Sequence, residues 1–431
     1  MKRVLIITYY WPPGSGAGVH RWLKFVKYLR DFGWEPIVYT PENPENPATD
    51  YTLAEEIPEG IEVIRRRIWE PYAAYKKFVG RKKNDRIKTG FLSEHDTPTV
   101  TEKISVWIRG NLFIPDARRF WIRPSVRFLS KYLKKKPVDA IVSTGPPHSM
   151  HLIALVLKNK TGIPWLADFR DPWTNIDYYH DLKLTKKSDA RHRQMEKEVL
   201  LSADRVVVVS NGMAKEFDQI QPRSYQVITN GFDRKAEPMN PGPGSRFSLV
   251  HIGSLAPSRN PESLWKAISQ MVSAVEGFKD DLEIRLVGQI DRSVKNMITQ
   301  YDLDQHTRYE SFLSHTDALK AQQQAQVLLL IINNTPNASL ITPGKMYEYL
   351  QAGRPILSIG PHGGDTAHII AETKSGQHIG FSDTSEIKNT LLEYYRQYKQ
   401  GTLQVHPENI ERFSSRSLTG KMAAELDAMF G

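Results

Sequence analysis

Apolar residues along this chain of 431 come in short runs, separated by stretches with helical spacing. The first run, residues 4–8, leads into a Pro/Gly-rich loop, WPPGSGAG. Trp22, Phe25, Val26 and Leu29 then recur at helical spacing inside a pattern that spans 20–32. Gly33 ends that pattern, and 36–40 is a second apolar run. Strand, loop, helix and strand in this order open a doubly wound α/β domain. The same alternation predicts strands at 140–143, 164–167, 205–210 and 226–229, with a helix over 149–158 and a long charged helix before Arg205. Residues 235–246 (KAEPMNPGPGSR) hold three prolines and two glycines and read as a linker. Beyond them the alternation restarts, with strands at 247–252, 282–287, 327–332 and 355–359 and a helix over 261–275. The expectation is two Rossmann-like domains with parallel sheets, facing a cleft, hinged near residue 240.

The rhythm breaks between residues 65 and 136, where twenty lysines and arginines stand against six acids. Trp69, Tyr72, Tyr75, Phe78, Trp107, Phe113, Phe120 and Trp121 are interleaved with them. The excess of this stretch exceeds the formal charge of the whole chain, +10, so the remainder is slightly acidic. Such a balance points to an anionic partner: nucleotide, nucleic acid or a lipid surface. No RNA- or DNA-binding signature accompanies it, so nucleic acid is not expected. The chain has no cysteine, which removes disulfides and thiolate metal sites. No His/Asp cluster argues for a metal. No run approaches the ~20 apolar residues of a membrane span, and the first run is too short for a signal sequence. A cytoplasmic protein, with an optional place at the inner face of the membrane, is the expected localisation.

Residues 341–356 read ITPGKMYEYLQAGRPI. Thr342 suits a helix N-cap, Pro343 the first helical position and Gly353 the C-terminal stop. The mouth of such a helix, with Gly344 in its first turn, offers free N–H groups that suit a phosphate. Lys345 adds an ammonium there, and Glu348, three residues on, lies on the same face. A carboxylate so placed can accept hydrogen bonds from two ribose hydroxyls, and the spacing therefore suits a nucleoside diphosphate. A surface Lys–Glu pair has the same spacing. The run 247–252 ends at Gly253 and Ser254, in a loop that carries Arg259 before the next helix. In an open parallel sheet ligands bind beyond the carboxyl ends of the strands, so Arg259 and Lys345 would share that edge as a diphosphate clamp. A solvated loop arginine is the plainer alternative for Arg259.

Segments along nearly the whole chain resemble the retaining GT-B glycosyltransferases of the large bacterial family 4. They are TYYWPPGSGAGVHRWLKFVKYLRDFGWEPIVYT, LLSADRVVVVS, ITNGFD, HIGSLAPSRNPESLWKAI and KMYEYLQAGRPI. The resemblance implies an N-terminal acceptor domain over 1–240 and a nucleotide-sugar domain over 247–411. It also implies a last helix within 412–431 that crosses back to the first domain. It makes Arg259 and Lys345 the diphosphate cations, Glu348 the ribose carboxylate, and Gly16 and Gly18 a loop that approaches the donor phosphate. Three features depart from the family pattern. The earlier of its two glutamates would fall at Leu340, Lys345 stands where the pattern is usually apolar or small, and the family's first loop cation would fall near Ser254.

A further segment, 143–173, carries His148 in a Pro-rich loop and Asp168, Arg170 and Asp171 at a strand end. Asp168, aligned by Arg170, would contact sugar or acceptor hydroxyls, with Asp171 nearby. A structural Asp–Arg pair, and a His148 that caps the helix beginning near Ser149, are the structural alternatives. The function expected is transfer of a sugar from a UDP- or GDP-sugar to a glycan or lipid-linked acceptor, with retention and without a cofactor. The alternatives are a GT-B nucleotide-sugar epimerase and, because of GSGAG, a dinucleotide-dependent oxidoreductase. The latter is disfavoured because the third glycine of G-x-G-x-x-G would be Val19.

Overall fold

A computed structural model describes residues 1–46, 49–70, 100–176, 178–233, 242–311 and 313–431. The chain divides into two compact units, one of 1–230 with 415–431 and one of 231–414. The first unit thus ends at Asn230, ahead of the expected hinge, and 234–241 lie outside the described residues.

In the first unit β1 (Lys2–Ile7), β2 (Trp34–Pro41), β3 (Glu62–Arg66), β4 (Ala140–Gly145), β5 (Trp165–Phe169), β6 (Arg205–Val208) and β7 (Gln226–Val227) form one sheet. Its order is β3-β2-β1-β4-β5-β6-β7, and every pairing is parallel. The second unit repeats the plan with β8 (Phe247–Ile252), β9 (Leu282–Val287), β10 (Thr307–Glu310), β11 (Val327–Ile331), β12 (Ile356–Gly360) and β13 (Gly376–Gly380). Its order is β10-β9-β8-β11-β12-β13, again all parallel. Strand order reverses between β1 and β4 in one unit and between β8 and β11 in the other. Those are the positions where an open α/β sheet leaves a crevice.

The inner strands are dominated by apolar residues because helices cover both faces, though β9 (LEIRLV) leaves Glu283 and Arg285 half-covered. VLLLI in β11 and ILSIG in β12 are buried throughout. The three strands that apolar runs did not predict, β3, β10 and β13, all lie at sheet edges. EVIRR, TRYE and GQHIG are only partly covered, so they lack the signal that burial imposes.

Ser415–Asp427 is the last helix, and it belongs to the first unit. Leu418, Met422, Ala423 and Leu426 enter the core made by Trp22, Leu23, Val26 and Leu29 of the helix Ala17–Tyr28 and the turn after it. Lys2 and Arg416 add ion pairs to Asp427 and Asp31 at 2.8 and 3.0 Å.

Of the basic aromatic stretch, 71–99 lie outside the described residues, and with them Tyr72, Tyr75 and Phe78. The described remainder holds the end of β3, at Arg66, and includes two helices, Val100–Leu112 and Arg119–Lys135. Trp121 is not part of an exposed aromatic face. It is buried and stacks on Tyr39 at 4.9 Å. Ser125, Val126, Leu129 and Leu133 follow it inward, which leaves Arg123, Arg127 and Lys131 on the outer face.

Candidate active site

The carboxyl end of β8 is built around Ile252. Its N–H donates to the Tyr349 hydroxyl at 3.1 Å, and its carbonyl accepts from Lys345 Nζ at 2.6 Å. Both side chains come from the helix Gly344–Ala352, so two hydrogen bonds pin that helix to the end of the strand. The next residue, Gly253, has φ +125, and a Cβ there would lie 2.0 Å from Lys345 Nζ. Glycine is required on both counts: for a backbone that L side chains rarely adopt, and for room for the amine.

Burial, and then the neighbouring Arg259 charge, lower the Lys345 pKa to about 7, with Glu348 pulling it back up. Its hydrogen-bond acceptor is a neutral carbonyl, and among the described residues it forms no ion pair. Arg259 reaches from the β8 loop to Asn333 Oδ1, just beyond β11, and donates to the Ser254 carbonyl at 3.3 Å. Arg259 and Lys345, the two cations expected from sequence to clamp a diphosphate, therefore both lie at the crevice between β8 and β11. Asn333, which holds the arginine across that crevice, is a site residue the sequence did not reveal, since nothing marks one asparagine in INNTPN. His251 lies buried behind the two cations, with Nδ1 on the Leu329 carbonyl at 3.0 Å. Burial and the Lys345 charge hold its pKa well down.

Glu348 is half-buried one turn along the same helix, and Gln322 Nε2 donates to its Oε2 at 3.0 Å. The helix begins one residue later than expected. Pro343 is the N-cap, with extended φ and ψ of −62 and 133, so Lys345 is the second helical residue and Thr342 stands outside. Thr342 Oγ1 is buried and makes no hydrogen bond, so it does not cap. Gly344 has open space where a Cβ would be, and Gly353 closes the helix at φ +65.

In the first unit the residues meet differently. Asp168 is fully buried, and its partner is Arg21, at 2.8 Å, not Arg170. Trp22 Nε1 and Thr144 Oγ1 donate to the same carboxylate at 2.7 and 2.8 Å. Burial alone would raise the Asp168 pKa, but Arg21 and these donors hold it below the usual carboxylate value. Arg21 also donates to the carbonyls of Ile228 and Thr229, at 2.9 and 2.8 Å. This carboxylate has no capacity left for a sugar hydroxyl, so the contact role expected of it is corrected to a structural one.

Arg170 donates instead to the Pro146 carbonyl and lies over the Tyr10 ring. A Cβ on Gly18 would lie 1.9 Å from Arg170 Nη1, so the space at Gly18 holds this guanidinium. Gly16, at φ +118, precedes the helix Ala17–Tyr28 with nothing near its absent Cβ, so its requirement is conformational. Asp171 is exposed. His148 is buried and stacks on Trp173 at 4.4 Å. It does not cap its helix. Asp116 does, accepting from Ser149 N–H and Oγ at 2.9 and 2.8 Å. Burial, then His151 nearby, lowers the His148 pKa.

Comparison with known proteins finds one family, described as Glycosyl transferase 4-like domain, that matches residues 15–231. Among curated proteins no sequence matches. Among solved structures, sucrose-phosphate synthase from Thermosynechococcus elongatus is 12% identical with a TM-score of 0.57, over 100% of this chain and 95% of that one. WaaG, a glycosyltransferase involved in lipopolysaccharide biosynthesis, is 14% identical with a TM-score of 0.56, over 99% and 100%. A point mutant of S. aureus TarM, in complex with Fondaparinux, alpha-GlcNAc-glycerol and UDP, is 12% identical with a TM-score of 0.57, over 99% and 96%. These likenesses establish the fold, GT-B, over nearly the whole length of the chain.

Proposed function

Because the chain belongs to the glycosyl transferase 4-like family and is a GT-B glycosyltransferase, we propose that it moves a sugar from a nucleoside-diphosphate sugar to a glycan or lipid-linked acceptor. The observation that carries this reading is Lys345: an amine held over Gly253 at the β8–β11 crevice, beside Arg259, with no carboxylate bonded to it. An ammonium partly removed from water is costly unless paired, and a diphosphate would supply the missing charge. As the bond from the sugar anomeric carbon to the diphosphate oxygen breaks, negative charge grows on the leaving group. Fixed cations and the N–H groups at the helix mouth stabilise it without reorganisation. The acceptor oxygen forms the new bond from the same face, and its proton passes to the departing phosphate oxygen. Configuration is thereby retained without a pair of catalytic carboxylates, unlike the glycoside hydrolases. No cofactor enters the scheme.

The test is calorimetric titration of UDP, GDP, ADP and NAD into wild type and Lys345→Ala. One diphosphate binding in the micromolar range, and lost by at least tenfold in the variant, is the expected result. Binding of NAD alone, or of nothing, overturns the reading. An epimerase would share the clamp, but it would turn over its nucleotide sugar with no acceptor present.

The acceptor side rests on the first unit. Five of the ten large apolar side chains exposed among the described residues are Trp69, Ile104, Trp107, Leu112 and Phe120. Trp69 and Phe120 touch edge to face at 4.9 Å, and Arg119 lies over Phe120. Arg123, Arg127 and Lys131 run along the outer face of the same helix. Aromatic side chains with flanking cations fit the headgroup region of an anionic bilayer, where each cation contributes roughly 1 kcal/mol. This patch supports a peripheral place at the inner face of the membrane. Sedimentation with phosphatidylglycerol vesicles, and not with phosphatidylcholine alone, is expected. Equal binding to both vesicle types would remove the charge argument.

A further inference from the structure

The helix His315–Gln324 lies against the donor-site helix and carries one buried amide, Gln322, whose residue surface is 1% exposed. Its Nε2 donates to Glu348 Oε2 at 3.0 Å, while its own Oε1 is buried and accepts no hydrogen bond. The two amide atoms are distinguishable on these contacts. Turning the amide over would set Oε1 against a carboxylate oxygen, so only one orientation is compatible with an ionised Glu348.

A buried carbonyl oxygen without a donor costs about 1–3 kcal/mol. Methionine or leucine would fill the same space without that cost. The amide therefore has a use other than packing, and its one bonded atom shows where that use lies. We propose that Gln322 is a positioning residue that sets the Glu348 carboxylate for the ribose of the nucleotide. The inference rests on the donor-site reading above and extends it to how the sugar of the nucleotide is recognised.

The geometry of the pair supports this. One oxygen of Glu348 is held from behind by Gln322, and its other oxygen accepts no hydrogen bond among the described residues. A carboxylate fixed at one oxygen cannot swing on its χ angles, so both oxygens can meet a vicinal diol together. Bonds made by an ionised acceptor are the stronger kind, and a site built to accept two hydroxyls rejects a ligand that lacks one. Without Gln322 the side chain would regain its rotamers, and the carboxylate would be drawn toward Lys345, one turn away, whose charge it already feels. Clamp and ribose site would then compete for one carboxylate. In this arrangement Gln322 touches no substrate and acts only through Glu348.

The test compares ribose and deoxyribose forms of one nucleotide. UDP, GDP and their 2′-deoxy and 3′-deoxy forms are titrated into wild type, Gln322→Met and Gln322→Glu, with melting temperatures recorded alongside. Wild type is expected to favour the ribose form by roughly tenfold. Gln322→Met should lose most of that preference, while its affinity for inorganic pyrophosphate, which has no ribose, stays within about twofold. Gln322→Glu places a second carboxylate against the first. It should lose the preference, because a carboxylate there cannot donate to Glu348 Oε2 as the amide does and repels it instead. This variant keeps the proposal testable if the methionine variant does not fold.

If both variants keep the full ribose preference, Gln322 has no positioning role, while the donor-site reading stands. If wild type binds diphosphates without any ribose preference, the Glu348 assignment fails and the proposal with it, and the cation clamp survives. If wild type binds neither nucleotide nor pyrophosphate, the donor site itself is refuted and the inference falls too. A uniform loss of pyrophosphate and nucleotide affinity in the variants would show a structural role only, and would overturn the proposal.

Discussion

The two units share one sheet order and one point of reversal, yet their crevices treat a cation in opposite ways. At the carboxyl end of the first sheet, Arg21 meets Asp168, and Trp22, Thr144 and two backbone carbonyls complete the set. At the corresponding end of the second, Lys345 meets only a backbone carbonyl. A charge closed by its counter-charge inside the chain holds the fold together. A charge closed by a dipole alone retains attraction for an ion from outside. Position in the fold does not separate a structural cation from a binding one here. The partner does.

Opposite consequences follow when the two are removed. The largest effect is expected from Asp168→Ala, which leaves Arg21 buried without its partner and should lower unfolding free energy by about 3–5 kcal/mol. Chemical denaturation measures it, and an undiminished midpoint would contradict the closed network. Lys345→Met should do the reverse: unchanged or higher stability of the empty protein, with nucleotide affinity down at least tenfold, or about 1.4 kcal/mol. Loss of stability comparable to that of Asp168→Ala would make the two crevices alike.

Next in size is a pH effect on binding. Lys345 titrates near pH 7 in the empty site, and a bound diphosphate would raise that value. The complex then holds more protons than the free protein above neutrality, so affinity should weaken as pH rises from about 7 to about 9, by up to tenfold per unit. Calorimetry in two buffers of different ionisation enthalpy reads the proton taken up, and Lys345→Met should take up none.

The smallest effect concerns Glu196, a buried carboxylate in the first unit. It accepts from the N–H groups of Trp173 and Thr174 and from the Thr174 hydroxyl. Burial raises its pKa to about 7, against the hydrogen bonds, which lower it. The native state therefore keeps a proton that the unfolded chain has released, and this group's contribution to stability falls as pH rises from its unfolded value through about 7. Glu196→Gln should flatten that slope and gain roughly 1 kcal/mol at pH 8, as read from melting curves across pH.

Much of this fold is legible in the sequence. Strands covered on both faces are dominated by apolar residues, so β8 (FSLVHI) coincides with its predicted limits, and β9 (LEIRLV) does so with apolar and half-covered charged residues alternating at its start. The edge strands β3, β10 and β13 carry no such constraint and escaped notice. Lys345, Arg259 and Glu348 stand out in the sequence because helix periodicity and strand ends set their spacing locally. What local spacing could not supply was the partner of each charge. Asp168 and Arg170 are two residues apart in sequence, which suggested a pair, but the strand ends between them, at Phe169, and the two side chains meet different surroundings. The true partner, Arg21, comes from a helix 147 positions away.

The α/β alternation and the places where a helix mouth follows a strand end can be read along the chain, because each depends on periodicity within a few residues. Only folding shows which cation is closed and which is open, that Asn333 reaches Arg259 across the crevice, and that Gln322 stands behind Glu348. Those outcomes depend on which side chains from distant segments fill the space around a buried charge, and the cost of leaving such a charge unmatched makes that choice consequential.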